Sequence, residues 1–262
     1  MKIVWASLTS LEDGFNAYAE NLTQHLDEVS RPETEIELLG SPRGVAGNYR
    51  PFKFLDEAAH VKEFVRLRQR DDVDALAIGC SFDGGLREAR EALSIPVLGY
   101  TETALLTSQF VSDNVAIIAG TEKFAPIFEE KLRIYGLEDR VLDIYTPNQD
   151  SRYLESLGNA FEDDAARANV VEEFDDIAKR CAEDGAELIL PGGGALPILL
   201  NHMEGVSELQ GIPVMDASAV LVRLTETLID LYELGAVSTS RKRMYRGPPD
   251  DFRKELEDLY NI

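Results

Sequence analysis

The chain has 262 residues, with 26 lysines and arginines against 48 aspartates and glutamates, and a formal net charge of −22. That length accommodates one large α/β domain or two smaller ones with ample core. The charge repels phosphate backbones and anionic membrane surfaces, so neither nucleic acid nor membrane is an expected partner; two cysteines give no disulfide framework.

Residues 2–6, Lys-Ile-Val-Trp-Ala, read as a first strand with no charged-then-apolar leader before it. No apolar run approaches the length of a membrane span, and a soluble, cytoplasmic protein is the expectation. Ser10 precedes an amphipathic helix running to about residue 29, and residues 35–39 form a second strand. The loop 41–50, Ser-Pro-Arg-Gly-Val-Ala-Gly-Asn-Tyr-Arg, carries Arg43 and Arg50 and suits either an active-site flap or a plain surface loop. Residues 54–70 read as helix. Next comes Asp74-Ala-Leu-Ala-Ile-Gly-Cys80, then the turn Ser81-Phe-Asp-Gly-Gly85 and the helical Leu86-Arg-Glu-Ala-Arg-Glu-Ala-Leu93. This order sets Cys80 at the carboxyl end of a strand, beside helix-terminal N–H groups that favour a thiolate.

Residues 114–119 form another strand, closing on Gly120-Thr121 before a helix to about residue 135. Residues 141–145 are extended, residues 163–183 form a long acidic helix and residues 216–234 a final long one. Ala186-Glu-Leu-Ile-Leu-Pro-Gly-Gly-Gly194 repeats the strand and Gly-rich turn of the Cys80 unit. Each unit is followed by the same tripeptide, Ile95-Pro-Val97 and Ile212-Pro-Val214. An internal duplication follows, with two βαβα units facing each other across a cleft, Cys80 on one wall and Gly192 at the matching position on the other. Residues 1–112 with 215–235 would form the first α/β lobe, 113–214 the second, and 236–262 a C-terminal tail. That tail is basic and Pro-ending up to residue 249, and would lie over the cleft, over a neighbouring subunit, or in solvent.

Alternating short apolar strands and helices mean parallel sheets covered by helices, with ligands at the carboxyl ends of the strands. Those ends carry Ser7 and Thr9, Cys80 and Ser81, Thr101, Thr121, and Gly192 with Gly193. Hydroxyls, small residues and one thiol suit a small polar ligand gripped by backbone N–H groups. No P-loop occurs, and Pro191-Gly-Gly-Gly194 lacks the dinucleotide spacing. His25, His60 and His202 lie far apart and share no helical face, which argues against a metal site. Cys181 sits mid-helix with Phe174, Ile177 and Ala178 at core-facing spacing and reads as a buried structural thiol.

Asp74-Ala-Leu-Ala-Ile-Gly-Cys80, then Asp83-Gly-Gly-Leu86, Ile95-Pro-Val-Leu-Gly99 and Glu102-Thr-Ala104 resemble the first half of the aspartate/glutamate/hydantoin racemase superfamily, the hydantoin (or allantoin) branch above all. Asp184-Gly-Ala-Glu-Leu-Ile-Leu190, Ile212-Pro-Val-Met-Asp216 and the Ser-rich then basic Leu234-to-Arg243 segment extend the resemblance over nearly the whole chain. The resemblance implies two similar α/β lobes with the site between them, no cofactor, a small-molecule substrate and self-association. It also implies two thiols flanking a carbon acid, with N–H and O–H donors holding the charge that develops on the adjacent carbonyl. The first thiol carries over as Cys80, and Ser81, Thr101 and Thr121 are the candidate donors. Two departures stand out. Where the family has Leu-Gly-Cys-Ala-Gly, this chain has Leu190-Pro-Gly-Gly-Gly194, so Gly192 replaces the second thiol. Where many members begin with Asn-Pro-Asn-Thr, this one has Ala6-Ser-Leu-Thr9, and only the threonine survives. Three readings stay open: a cofactor-independent isomerase or racemase with Cys80 as base or nucleophile, which ranks first; a one-thiol lyase or decarboxylase; and a non-catalytic small-molecule binder.

Overall fold

The computed structural model describes residues 1–7, 16–41, 49–147 and 157–262. Strand β1 (Lys2–Ser7) pairs in parallel with β2 (Glu35–Gly40) and β3 (Ala75–Ile78), and β3 with β4 (Val97–Gly99), giving the order β2-β1-β3-β4. A second parallel sheet has the order β6-β5-β7, from β5 (Val115–Ala119), β6 (Val141–Tyr145) and β7 (Leu188–Gly192). A small antiparallel pair, β8 (Glu208–Leu209) and β9 (Ile212–Pro213), follows it. The helices are α1 (Asn16–Val29), α2 (Arg50–Leu67), α3 (Leu86–Ala92), α4 (Tyr100–Ser108), α5 (Ala125–Tyr135) and α6 (Asp164–Glu183). Then come α7 (Ala195–Pro197), which passes into a π-helical turn (Ile198–Met203), α8 (Ala217–Glu233) and α9 (Asp250–Tyr260).

Strands covered on both faces must be apolar on both, and β5, Val-Ala-Ile-Ile-Ala, is buried at every residue. The two faces of β1 divide the first lobe. Ile3 and Trp5 pack with Tyr18, Leu22 and Leu26 of α1, whereas Val4 and Ala6 pack with Phe64 of α2 and Leu86 and Ala89 of α3. The layer holding Trp5 runs on without a break into Val115, Ile117 and Phe174 around the second sheet, so one core joins both sheets. The duplicated tripeptides have matching roles. Val97 pairs in parallel with Leu76 of β3, and Val214 forms a parallel bridge to Ile189 of β7.

Helix α8 packs on α1, α4 and β3. Its Glu226 is fully buried, and accepts hydrogen bonds from the Arg31 backbone N–H (2.7 Å) and from Thr34 Oγ1 (2.7 Å), with the Arg223 guanidinium at 3.1 Å. A buried carboxylate is tolerated only with its oxygens satisfied in this way. Cys181 is buried in α6 alongside Phe174, Ile177 and Ala178, as its spacing predicts.

The C-terminal segment departs from expectation. Arg241 donates to the carbonyls of Arg90 (2.9 Å) and Glu91 (3.2 Å) and also to that of Leu93, capping the carboxyl end of α3 with a cation. The chain then forms α9, which lies on α2 through Arg68–Glu257 at 2.8 Å and through Lys62 and Arg66, which donate to the Tyr260 and Asn261 carbonyls. Pro249, which ends the basic stretch, is the residue just before the helix, where a missing N–H costs nothing. Among the described residues no helix is long and apolar enough to cross a membrane.

Candidate active site

The two Gly-rich turns meet at the carboxyl ends of β3 and β7. A Cβ built on Gly194 would lie 2.9 Å from the Gly79 carbonyl oxygen, so only hydrogen fits between the turns. Gly79 is itself constrained, because a Cβ there would fall on the Trp5 indole. Its N–H donates to Ala6 O (2.8 Å), which keeps it in line with β1, and Cys80 then leaves the sheet. The Asp83 N–H donates back to Cys80 O (2.9 Å) and closes the turn. Asp83 takes φ 47°, a left-handed conformation that aspartate accepts more readily than most residues.

Cys80 is partly accessible. Burial pushes its thiol up to about 12; the Phe82 backbone N–H, facing the sulfur, and the charge of Lys53 pull the other way, while Asp83 and Glu57 push it further up. The expectation of a thiolate held by a helix N-terminus is therefore corrected. Helix α3 begins only at Leu86, with Gly85 before it, so its free N–H groups are not at the sulfur, and desolvation outweighs the single turn amide. The resting group is a thiol.

Lys53 was not legible in sequence as a site residue, being one charge among many on α2. Its Nζ lies 5.2 Å from the Phe82 ring centroid and is ion-paired with Glu57, which rests against the turn at Gly84. Tyr18 and Tyr100, which the sequence did not single out, both sit within electrostatic reach of Cys80. Tyr18 is hydrogen-bonded to Ser7 at the end of β1. The Tyr100 and Ser218 hydroxyls lie close together, buried, and neither is in a well-formed hydrogen bond among the described residues.

The other predicted site residues divide. Thr101 is buried and its hydroxyl donates to the Ser81 carbonyl (2.6 Å), while its N–H donates to Asp83 Oδ1 (3.0 Å). Ser81 is likewise buried. Thr101 thus holds the Cys80 turn, and its hydroxyl proton is taken. Thr121 is different: its Oγ1 is buried and has no partner among the described residues, so it is free to donate. Gly193 is half-buried and open, the nearest atom to a built Cβ being Leu196 Cδ1 at 3.5 Å. Gly192 is closed, since a Cβ there would lie 2.9 Å from two Phe128 ring carbons and 3.1 Å from the Ile118 carbonyl oxygen. Thr9 and Arg43 lie outside the described residues. Arg50 begins α2 and reaches Glu130 at 3.5 Å, with most of its side chain in solvent.

Gly192→Ala is expected to cost about 1–3 kcal/mol, the usual range for overpacking against a buried ring. Gly193→Ala should cost less than 1 kcal/mol. Urea midpoints of the two variants check the contrast, and equal midpoints would mean that Phe128 moves aside freely.

The family described as Asp/Glu/hydantoin racemase matches residues 16–225. The chain belongs to that family. A hydantoin racemase of Rhizobium meliloti is 30% identical over 187 residues, 70% of each chain, and one of Paenarthrobacter aurescens is 28% identical over 90% of this chain and 94% of that one. Among solved structures, the allantoin racemase of Klebsiella pneumoniae has 20% identity and a TM-score of 0.74, covering 95% of this chain and 94% of its own. The Pseudomonas fluorescens allantoin racemase has 23% identity and the same TM-score, covering 95% and 97%. These likenesses place the two-lobed α/β architecture within the racemase fold. Within this family of racemases the present chain combines a thiol at Cys80 with a glycine at 192 whose side-chain space is filled by Phe128.

Proposed function

We propose that this enzyme moves a proton at a carbon acid, alpha to a carbonyl, in a small cyclic or linear amino-acid derivative of the hydantoin type, inverting that centre without a cofactor. The observation that carries the reading is the Cys80 thiol, partly accessible where the two Gly-rich turns meet. A carbon acid beside a carbonyl ionises only if the charge passing to oxygen is held by positioned donors. The Thr121 hydroxyl and the N–H groups that follow Gly193 are suited to that task, the Gly193 N–H itself already donating to Pro191 O (3.1 Å). Cys80 exchanges the proton on one face. Proton transfer on the other face falls to water or a hydroxyl, since no side chain fits at Gly192 without displacing Phe128. The self-association and small-molecule substrate implied by the family belong to the same reading.

The space filled by Phe128 favours one further reading, a lyase in which carbon dioxide leaves and Cys80 delivers the single proton required. One experiment separates them. Single enantiomers of 5-substituted hydantoins and allantoin are incubated with the protein in D2O, following optical activity and the proton signal at the stereocentre. Loss of optical activity with deuterium uptake, above the enzyme-free rate, supports the racemase. Carbon dioxide release from a malonate-type acid, with no racemization of any hydantoin, would move the assignment to the lyase. Neither activity across both panels would overturn both readings and leave a binding protein.

A further inference from the structure

His25 and His202, 177 residues apart in sequence by their numbering, come together, which corrects the expectation that the histidines are scattered. Their ring centroids are 5.1 Å apart with the planes tilted by 51°. His25 is buried on α1, and Glu28 lies on the same face of that helix one turn later. Glu28 Oε2 is 3.3 Å from His202 Nδ1, and its Oε1 accepts a hydrogen bond from Gln24 Nε2 (2.9 Å). Nitrogen and oxygen donors from all three residues lie within 4.8 Å of one another.

We propose that His25, Glu28 and His202 form a divalent-cation site of zinc-binding character, separate from the Cys80 thiol, that clips α1 to the π-helical turn after β7. Two imidazoles and a carboxylate are a ligand set that zinc takes with a water in fourth place, at about 2.0–2.2 Å from each atom. Tetrahedral bonds of that length put ligand atoms roughly 3.4 Å apart, so from a spacing of at most 4.8 Å the three side chains need close in by no more than about 1.4 Å. Three further features suit a metal. Asp216 Oδ2 stands 2.9 Å from His25 Nε2, a buried nitrogen with no well-formed hydrogen bond among the described residues, so a carboxylate is within reach to orient that imidazole once a metal fixes the ring. Among the described residues Glu28 pairs with no lysine or arginine. His202 is carried by a π-helical turn, a backbone form concentrated at functional sites.

The site bridges elements of the two sheets, because α1 packs on β1 whereas the π turn continues from β7 through α7. Asp216 also caps α8, accepting the Ala219 N–H at 2.9 Å. In the same first turn, Ser218 faces Tyr100 beside Cys80. A bound ion would therefore stiffen the junction between the lobes next to the catalytic cleft.

The test uses chelator-treated protein titrated with Zn²⁺ by calorimetry, with the melting temperature recorded alongside and Co²⁺ as a spectroscopic stand-in. One equivalent bound, a rise in melting temperature and a visible cobalt band of low-symmetry N/O coordination are expected. His202→Ala should abolish binding, and Glu28→Gln should weaken it at least tenfold, with circular dichroism showing both variants folded. Asp216→Asn should weaken it about 10–100-fold, as loss of an orienting carboxylate does. Cys80→Ser should bind as the wild type does. No binding, binding that survives in both His202→Ala and Glu28→Gln, or binding lost in Cys80→Ser would each overturn the proposal.

Discussion

Cys80→Ser is expected to lower proton exchange at the substrate stereocentre by about 10³-fold or more, toward the upper end of what a general acid–base group contributes. The substitution changes the size of the group little, so the turn closed by the Asp83 N–H on Cys80 O persists. What it removes is acidity, because a hydroxyl in the same place gives up a proton far less readily than a thiol. Exchange rates by proton NMR, compared with Cys181→Ala as a background thiol, measure the loss. Cys181→Ala should alter stability through lost packing in α6 and leave the rate unchanged. Equal rates in Cys80→Ser and wild type would remove Cys80 from the mechanism. The direction of the thiol shift adds a second readout. With the resting sulfur protonated and its pKa pushed up to about 12, a reaction that needs Cys80 as base should speed up roughly tenfold per pH unit through the neutral range. A reaction that needs it only as proton donor should stay flat there. The pH profile thus tells the racemase from the lyase independently of product analysis.

Much of this architecture was written in local pattern. The apolar runs at β1, β3, β5 and β7 are buried on both faces, and such strands have no other way to be read. The repeated Ile-Pro-Val tripeptides marked the duplication because each supplies the valine that pairs with the neighbouring strand. The thiol at the end of β3 was equally legible. Its protonation state was not, because that depends on burial within the docked fold and on Lys53 and Glu57 of α2, none of which local pattern shows. Lys53 and the His25–His202 pair were hidden for the same reason: a charge on a helix and two histidines 177 apart acquire meaning only when helices are docked. Gly192 illustrates the limit from the other side. The sequence shows a missing thiol, but only the Phe128 ring shows that the vacancy is filled, so reinstating a cysteine there would have to displace a core aromatic.

Asp83→Ala is expected to cost about 1–3 kcal/mol, the range for leaving a buried donor without its acceptor. The carboxylate is the common acceptor for three donors: Thr101 N–H (3.0 Å) and Glu102 N–H (2.9 Å) at the start of α4, and Tyr135 Oη (2.5 Å) on α5. It therefore holds the Cys80 turn, the amino end of α4 and the second lobe's α5 in one arrangement. Alanine leaves the buried Thr101 N–H, and the partly buried Glu102 N–H and Tyr135 hydroxyl, without their acceptor, and a buried orphan is costly. Urea unfolding measures the loss; a change below 1 kcal/mol would mean that water replaces the carboxylate. The pH dependence is a sharper check. Burial raises the Asp83 pKa from the ordinary 3.8 to about 6, against the opposing pull of Tyr135, Lys131 and the two N–H donors. Between about pH 4 and 6 the folded protein therefore binds a proton that the unfolded chain has released. Stability then falls as pH rises through that window, by on the order of 3 kcal/mol, and is flat above it. Asp83→Asn keeps the shape but cannot titrate. The wild-type curve minus the Asp83→Asn curve should accordingly decline from pH 4 to 6 and level off. A difference that rose over the same interval would show instead that the three donors win over desolvation and hold Asp83 ionised.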